Sequence, residues 1–310
     1  MTASQVVDAP AGFKYSTKID ITTADTSLAS GQNLFLVQYL EGYNMSHLQW
    51  GTANAKTVTL SFWVKSTKTG TYSVTITNNA TSKHNVQDYT ISQANTWEKK
   101  TLTYTGDTDT NASWATDANI GMRIRFGLAT GSGLTTGTLG SWGSGDKVAS
   151  SSCENGLDST SNDFFFTGVQ LELGSAATAF EYRSYGDELA RCQRYYYLHG
   201  TGSSSSYGLQ GNGMMGANGG SPTAKIAMWY PVPMRTKPSA TFFNANEFRN
   251  DTGLAANDST FNAIWSDATS VNVAWVDFTG GSGGNFSESK AVMVYSRSGS
   301  NAKMAFSAEF

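Results

Sequence analysis

Residues 58–65 read VTLSFWVK, a stretch in which every second side chain is apolar. The apolar set is Val58, Leu60, Phe62 and Val64. A period of two places neighbouring side chains on opposite faces of an extended chain, so this stretch predicts a β-strand with one face on a core. The same alternation returns at residues 71–77 and 122–129, which predicts two more strands of the same kind.

Further segments rich in β-branched and aromatic residues raise the predicted number of strands in the first half to about eight. These segments are Lys14–Thr22, Leu34–Tyr39, Val86–Ser92, Trp97–Tyr104 and Phe164–Leu173. We expect antiparallel pairing because no crossover helix lies between them. The predicted fold is all-β: a jelly-roll-like β-sandwich, followed by a short helical junction and a second, smaller antiparallel β domain.

The junction is the one segment with a helical pattern. Ser184 offers a helix start, and Asp187–Gln193 contains no Pro, Gly or β-branched residue. Such a short helix must be held by packing rather than by propensity. Strands are predicted again at Lys225–Tyr230, Ala240–Phe243, Val271–Phe278, Ala291–Tyr295 and Lys303–Phe310. The predicted divisions of the chain are therefore residues 1–182, 183–194 and 195–310.

Composition excludes several classes of partner. The net charge of −3 provides no basic surplus for binding nucleic acid. No apolar run approaches the ~20 residues that membrane insertion requires. Residues 1–10 lack the basic and apolar parts of a signal peptide, and two cysteines are too few for a disulfide framework. We therefore expect no nucleic acid, no membrane insertion and no signal peptide.

Two glycine motifs match a catalytic or a cofactor-binding pattern, but the secondary structure and partner residues that each pattern requires are not predicted around them. Residues 280–284 (GGSGG) fit the G-x-S-x-G nucleophile elbow, which needs a following helix and a histidine partner. Residues 211–216 (GNGMMG) fit a dinucleotide fingerprint, which needs a βαβ unit. Both predict loops instead. The three histidines lack metal-ligand spacing, and the acidic loop 105–119 lacks a calcium-loop pattern. We predict no catalytic residue, no cofactor and no metal.

Aromatic residues in polar segments are the candidate ligand-binding residues. Trp114 and Trp142 fall in polar loops, and Tyr43 lies in a turn-like stretch. Exposed rings of this kind stack on the apolar faces of sugars. The alternative is that each ring folds back onto a loop or the core. Trp265, in the second domain, completes the candidate glycan-stacking set.

Three stretches carry a resemblance to a known family: residues 51–65 (GTANAKTVTLSFWVK), 164–174 (FFFTGVQLELG) and 179–196 (AFEYRSYGDELARCQRYY). They resemble bacteriophage virion proteins, often described as tail-fibre or virion structural proteins, in which a carbohydrate-binding-module-like β-sandwich ends in this signature. The resemblance covers roughly residues 10–197.

This resemblance implies a structural or adhesive role rather than catalysis. It implies that Gln170 and Glu172 belong to the last strand of the sandwich. It also implies junction roles for Leu189, Cys192, Gln193, Arg194 and Tyr195.

The same resemblance implies a homotrimer on the virion surface, made in the host cytoplasm, with other tail or capsid proteins as partners. Four aromatic residues with few charges around them favour such assembly: Trp229, Tyr230, Trp265 and Trp275. The expected function is host attachment by a tail fibre or appendage, with cell-surface glycan as a possible partner. A capsid head fibre or decoration protein, a glycan depolymerase with a carboxylate pair, and a scaffold without a ligand remain as alternatives.

Overall fold

The structure is a computed structural model. It describes residues 1–199, 215–217, 223–243, 248–251, 256–264, 269–280, 293–296 and 303–310. The chain divides into two compact units, Met1–Glu181 and Tyr182–Phe310. Both are built mainly from antiparallel sheets, and one α-helix lies among the described residues. The first unit also has a short parallel pair, Thr135–Thr136 with Ala149–Ser150. The all-β prediction with a short helix is confirmed. No helix among those described is long and apolar enough to cross a membrane.

The first unit contains twelve strands. Their bounds are β1 (Thr2–Val6), β2 (Ser16–Asp20), β3 (Asn33–Glu41), β4 (Val58–Ser66), β5 (Gly70–Thr77), β6 (Lys83–Ile91), β7 (Glu98–Tyr104), β8 (Ile120–Thr130), β9 (Thr135–Thr136), β10 (Trp142–Ser144), β11 (Ala149–Ser150) and β12 (Asp163–Leu173). All eight predicted strands are present, whereas β1, β9, β10 and β11 were not predicted.

Two five-stranded sheets form the sandwich, with strand orders β1-β2-β12-β4-β7 and β10-β6-β5-β8-β3. The alternating residues meet between them: Leu60, Phe62 and Val64 have no exposed surface. Phe62 packs edge-to-face on Phe126 of the other sheet, with ring centroids 5.1 Å apart. Burying one such side chain contributes about 1.5–3 kcal/mol, so the period-two pattern of the sequence becomes the core.

The long Gly- and Ser-rich segment at residues 130–162 packs against the first unit: part of it is hydrogen-bonded to β5. The Thr75 hydroxyl donates to the carbonyl of Val148 at 2.7 Å, and the Ser150 amide donates to the Ser73 hydroxyl at 2.9 Å. Val148 and Ala149 are buried. This segment therefore covers part of the outer face of β5, where it hydrogen-bonds to the hydroxyl groups of Ser73 and Thr75.

The second unit contains α1 (Tyr185–Gln193), β13 (Tyr196–His199), β14 (Met215–Ala217), β15 (Thr223–Trp229), β16 (Ser239–Phe243), β17 (Phe248–Asp251), β18 (Ala256–Ile264), β19 (Val273–Gly280), β20 (Met293–Ser296) and β21 (Lys303–Ser307). Its sheets have the orders β13-β21-β16 and β14-β15-β19-β18-β17-β20. The Ser184 side chain accepts a hydrogen bond from the Asp187 amide, so the predicted helix start is a true N-cap.

Aromatic residues of the second unit differ in exposure. Trp229 is 62% exposed, and Trp275 is half-buried. Tyr230, one of the four aromatic residues expected to be exposed and to favour assembly, is instead buried: its ring packs edge-to-face on Phe306 at 5.2 Å, and only 8% of the residue is exposed. Trp265 lies outside the described residues.

The two groups of predicted junction residues make separate sets of contacts. Gln170 accepts the Glu181 amide at 2.8 Å and Glu172 accepts the Thr178 amide at 3.1 Å, so both tie the segment after β12 to that strand. The Arg194 carbonyl accepts the Arg235 amide, and the Tyr195 carbonyl accepts the Ala308 amide, both at 2.8 Å. These last two bonds attach the residues after α1 to other parts of the second unit. Leu189 and Cys192 are exposed on the helix, and Gln193 is half-buried.

Candidate functional site

Two loops at one end of the first unit are joined by backbone hydrogen bonds. Residues 42–57 connect β3 to β4, and residues 105–119 connect β7 to β8. The amides of Gly42, Tyr43 and Gly51 donate to carbonyls of the second loop at 2.8–2.9 Å. These bonds fix both loops even though neither contains a strand.

A groove with a cavity volume of about 370 Å³ lies between the two loops. Its lining consists of Met45, Ser46, Gln49, Trp50, Thr52, Asn54, Trp114, Ala115 and Thr116. None of these side chains is charged, and five of them carry a hydroxyl or amide group. The other four residues are apolar, so the groove offers both packing surface and hydrogen-bonding groups to a small neutral molecule.

The wall of the groove is part of a cluster of three tryptophans. Trp50, Trp114 and Trp142 pack pairwise edge-to-face, with ring centroids 4.8–5.4 Å apart. Every indole N–H in the cluster already has an acceptor: Trp50 donates to the Lys56 carbonyl at 2.7 Å, Trp114 to Asp107 Oδ2 at 3.0 Å and Trp142 to the Thr105 carbonyl at 2.9 Å. A ligand in the groove would therefore find no free indole donor, and it would meet only the small exposed parts of Trp50 and Trp114, which are 6% and 9% exposed.

Glycines allow the loops to approach this closely. A Cβ at Gly42 would lie 2.4 Å from the Ala115 carbonyl oxygen, which is closer than any real contact. Gly51 has φ +81°, and Gln49 has φ 56°. A non-glycine residue in the left-handed region is uncommon and strained, and such residues cluster at binding sites. Gln49 lies in the lining of the groove, where its side chain is exposed.

Carboxylates stand near the groove but outside its lining. A hydrogen bond from Lys83 lowers the pKa of Asp109, and hydrogen bonds from Asn119 lower the pKa of Asp117. Both groups remain ionised at neutral pH. The buried Asp107 carboxylate accepts the Trp114 indole N–H and the Asp109 amide, so it organises the loop from within.

The aromatic residues predicted to bind a ligand differ in exposure and in whether they line the groove. Tyr43 is 60% exposed beside the groove. Trp114 follows the alternative given for these rings: it folds back onto its own loop, where Asp107 and Trp50 hold it and leave it only 9% exposed. Trp142 is half-buried against the core and does not line the groove. The sequence analysis missed Trp50, although a tryptophan before a glycine in the polar stretch 49–54 was a usable signal.

A second cavity of about 360 Å³ lies at one side of the same unit, and no charged residue lines it either. It is bordered by β1, β2 and β12 of one sheet and by β3 of the other, with Phe126 and Phe166 among its lining residues. Both Phe rings are nearly buried and contact each other at 5.3 Å. This cavity is therefore an opening toward the core at the edge of the sandwich.

The two glycine motifs, metal ligands and cysteines are the remaining sites considered in the sequence. Most of residues 211–216 and 280–284 lie outside the described residues. Within the part of the chain that the structure describes, no three His, Cys, Asp or Glu residues are grouped closely enough to hold a metal ion. Cys153 and Cys192 are free thiols, and burial raises the pKa of Cys153 to about 12.

No family model matches this chain, and no curated protein matches it. Among solved structures, a protein described as CBM4 is 12% identical, covers 52% of this chain and 83% of its own, and has a TM-score of 0.25. A candidate sugar-binding protein from Bacteroides thetaiotaomicron is 14% identical over 56% of this chain and 82% of its own, with a TM-score of 0.30. Discoidin II of Dictyostelium discoideum is 9% identical over 92% of this chain and 80% of its own, with a TM-score of 0.18. At these TM-scores the similarities carry no information about a ligand.

Proposed function

We propose that this protein is a non-enzymatic phage virion component, a homotrimeric tail fibre or appendage that binds glycan on the host surface. The phage assignment is supported by the sequence resemblance at residues 51–65, 164–174 and 179–196. The glycan assignment is supported by one structural observation, the uncharged groove in which hydroxyl and amide side chains lie beside the exposed parts of Trp50 and Trp114.

The chemistry of the groove suits a neutral sugar. A sugar ring has an apolar face of C–H groups, which packs on aromatic surface, and hydroxyl groups at its edge, which need donors and acceptors. Trp50 and Trp114 contribute to the apolar surface only the small parts of their rings that are exposed, 6% and 9% of each residue. Gln49 and Asn54 supply amides that both donate and accept, and three hydroxyl side chains lie in the same lining.

Tyr43 extends this surface beyond the groove. Its amide donates to the Asp117 carbonyl at 2.9 Å, and its carbonyl accepts the Ser46 hydroxyl at 3.3 Å. The backbone is thus held while the ring is 60% exposed. A second sugar of a polymer leaving the groove would stack on this ring.

Binding rather than bond cleavage is favoured by the lining of the cavities. Glycoside hydrolysis requires two carboxyl groups on either side of the scissile bond. Neither of the two cavities described above is lined by Asp or Glu. A depolymerase would release reducing ends from host polysaccharide, and that release would overturn the non-enzymatic proposal.

The test is binding of purified protein to host surface polysaccharide by calorimetry. We expect Gln49→Ala and Tyr43→Ala to weaken binding, the tyrosine variant by about 2- to 12-fold because one stacked ring contributes about 0.5–1.5 kcal/mol. Tyr15→Ala is the matched control, since Tyr15 is a partly exposed tyrosine that lines the other cavity. Loss of binding in the control alone would place the site elsewhere.

Placement in the particle is tested separately. A tail protein added in excess blocks adsorption of the phage to its host. A capsid head fibre or decoration protein copurifies with DNA-filled heads and does not block adsorption. Binding of no glycan at all would favour the scaffold alternative.

A further inference from the structure

Two arginines lie on the outer face of the sheet β10-β6-β5-β8-β3, the face that points away from the core. Arg123 and Arg125 are two positions apart on β8, and Ile124 between them is buried in the core, so both arginines leave β8 on the opposite side. The Arg123 guanidinium lies over the Tyr39 ring of β3, 5.6 Å from its centroid. The Arg125 guanidinium lies over the Phe35 ring at 5.1 Å. Each cation therefore has the same kind of aromatic support.

The two arginines differ in what pairs with their charge. Arg125 is only 4% exposed, and its Nη1 donates to Asp146 Oδ1 at 2.5 Å. A charge taken out of water needs such a partner. Arg123 Nη2 donates instead to a neutral amide oxygen, Asn79 Oδ1, at 2.8 Å. Among the residues that the structure describes, no carboxylate forms an ion pair with Arg123.

A buried hydroxyl without a partner lies beside Arg123. Thr77 is the partner of Arg123 in the antiparallel pairing of β5 with β8, so the two side chains share a face of the sheet. Thr77 is completely buried, and neither its Oγ1 nor Arg123 Nε has a hydrogen-bond partner. Buried polar groups are nearly always hydrogen-bonded. A hydroxyl and a cationic N–H that both lack an acceptor are the donors that an oxyanion requires.

This position can be reached from solvent, and its cation is already held in place. Arg123 and Tyr39 are half-buried, and Asn79, in the turn between β5 and β6, is exposed. The ring supports one face of the guanidinium, and the amide accepts one of its five N–H donors. A carboxylate binds such a fork through two parallel hydrogen bonds. Because the fork is held before binding, less conformational entropy is lost when the anion arrives.

We infer that Arg123 binds a carboxylate carried by a ligand, with Thr77 as a second donor. At Arg125 the chain itself places a carboxylate on a guanidinium of the same face, and a carboxylate carries the single negative charge that one unpaired arginine requires. Among sugars, this group belongs to the uronic acids, so the ligand class is a uronic acid, alone or in an acidic polysaccharide. Neither residue lines the groove, so failure of one proposal leaves the other standing.

Calorimetry with sodium glucuronate at constant ionic strength tests the site. Arg123→Gln should weaken binding about tenfold or more, because hydrogen bonds to charged groups are the strong ones. Arg191→Gln is the matched control, since it removes the same charge from an exposed position in the second unit and should keep the wild-type affinity. No binding to the wild-type protein, or equal binding to Arg123→Gln, would overturn the inference.

Two comparison anions test the ligand class. Inorganic phosphate is an oxyanion without a carboxylate, and acetate is a carboxylate without a sugar. Both should bind more weakly than glucuronate. Equal affinity for phosphate would overturn the carboxylate assignment, and equal affinity for acetate would overturn the assignment to a sugar acid.

Proton–nitrogen correlation spectra of the wild-type protein test the position without any substitution in the site. The Arg123 Nε–H resonance should shift on titration with glucuronate, whereas that of Arg125, whose guanidinium already holds Asp146, should shift much less. An unmoved Arg123 resonance at concentrations where calorimetry detects binding would overturn the inference. Thr77→Val keeps the shape of the side chain but removes the hydroxyl, and it should also weaken binding. Unchanged affinity in that variant would overturn the role of Thr77.

Discussion

The Trp114→Phe substitution tests how the groove is held together. It keeps an aromatic ring in the cluster but removes the indole N–H that donates to Asp107 Oδ2 at 3.0 Å. Asp107 is only 2% exposed, so water cannot readily replace the lost donor. A hydrogen bond to a charged group contributes about 1.5–3 kcal/mol, and the smaller ring weakens edge-to-face contacts worth about 0.5–1.5 kcal/mol each.

We therefore expect the free energy of unfolding of the first unit to fall by about 2–4 kcal/mol. In a domain of this size that corresponds to a decrease in Tm of about 4–16 °C. Scanning calorimetry measures it directly, provided that the transition of the first unit is resolved from that of the second.

Trp142→Phe is the matched control for this prediction. Its indole N–H donates to a neutral backbone carbonyl, that of Thr105, at 2.9 Å, and the residue is half-buried. A neutral hydrogen bond contributes about 0.5–1.5 kcal/mol, so Trp142→Phe should cost less than Trp114→Phe. If the two variants are equally stable, or if Trp114→Phe lies within about 0.5 kcal/mol of wild type, the buried carboxylate does not organise the loop as argued here.

Two further predictions concern the first unit. Burial raises the pKa of the Cys153 thiol to about 12, so this thiol should resist iodoacetamide at pH 8 in the native protein and react after unfolding. Peptide mass mapping measures both reactions. Alkylation of the native protein at the rate of a free thiol would contradict the burial of Cys153. Gly42→Ala should destabilise the protein by about 1–3 kcal/mol in urea, because its Cβ meets the rigid Ala115 backbone, whereas Gly31→Ala, with nothing within 4 Å of its Cβ, should stay within about 0.5 kcal/mol of wild type. Equal effects of the two glycine substitutions would remove close loop approach as the reason for Gly42.

Local patterns in the sequence determined the strands and the start of the helix. The alternation at Val58–Ser66 requires only that neighbouring side chains of an extended chain point to opposite faces, and that apolar ones be buried. Ser184 is recognisable as a cap because its hydroxyl oxygen accepts a hydrogen bond from an amide only three residues away, that of Asp187. Such features act over a few residues, so they can be read without knowing what the chain packs against.

Only the tertiary structure decided where the groove lies and which rings form it. Trp50, Trp114 and Trp142 come from three separate segments whose sequences look like polar loops. They converge because Gly42 and Gly51 let two backbones approach and because Asp107 lies where it can accept the Trp114 indole. Burial of a loop residue depends on what a distant segment places over it, and no period or spacing within the loop records that contact.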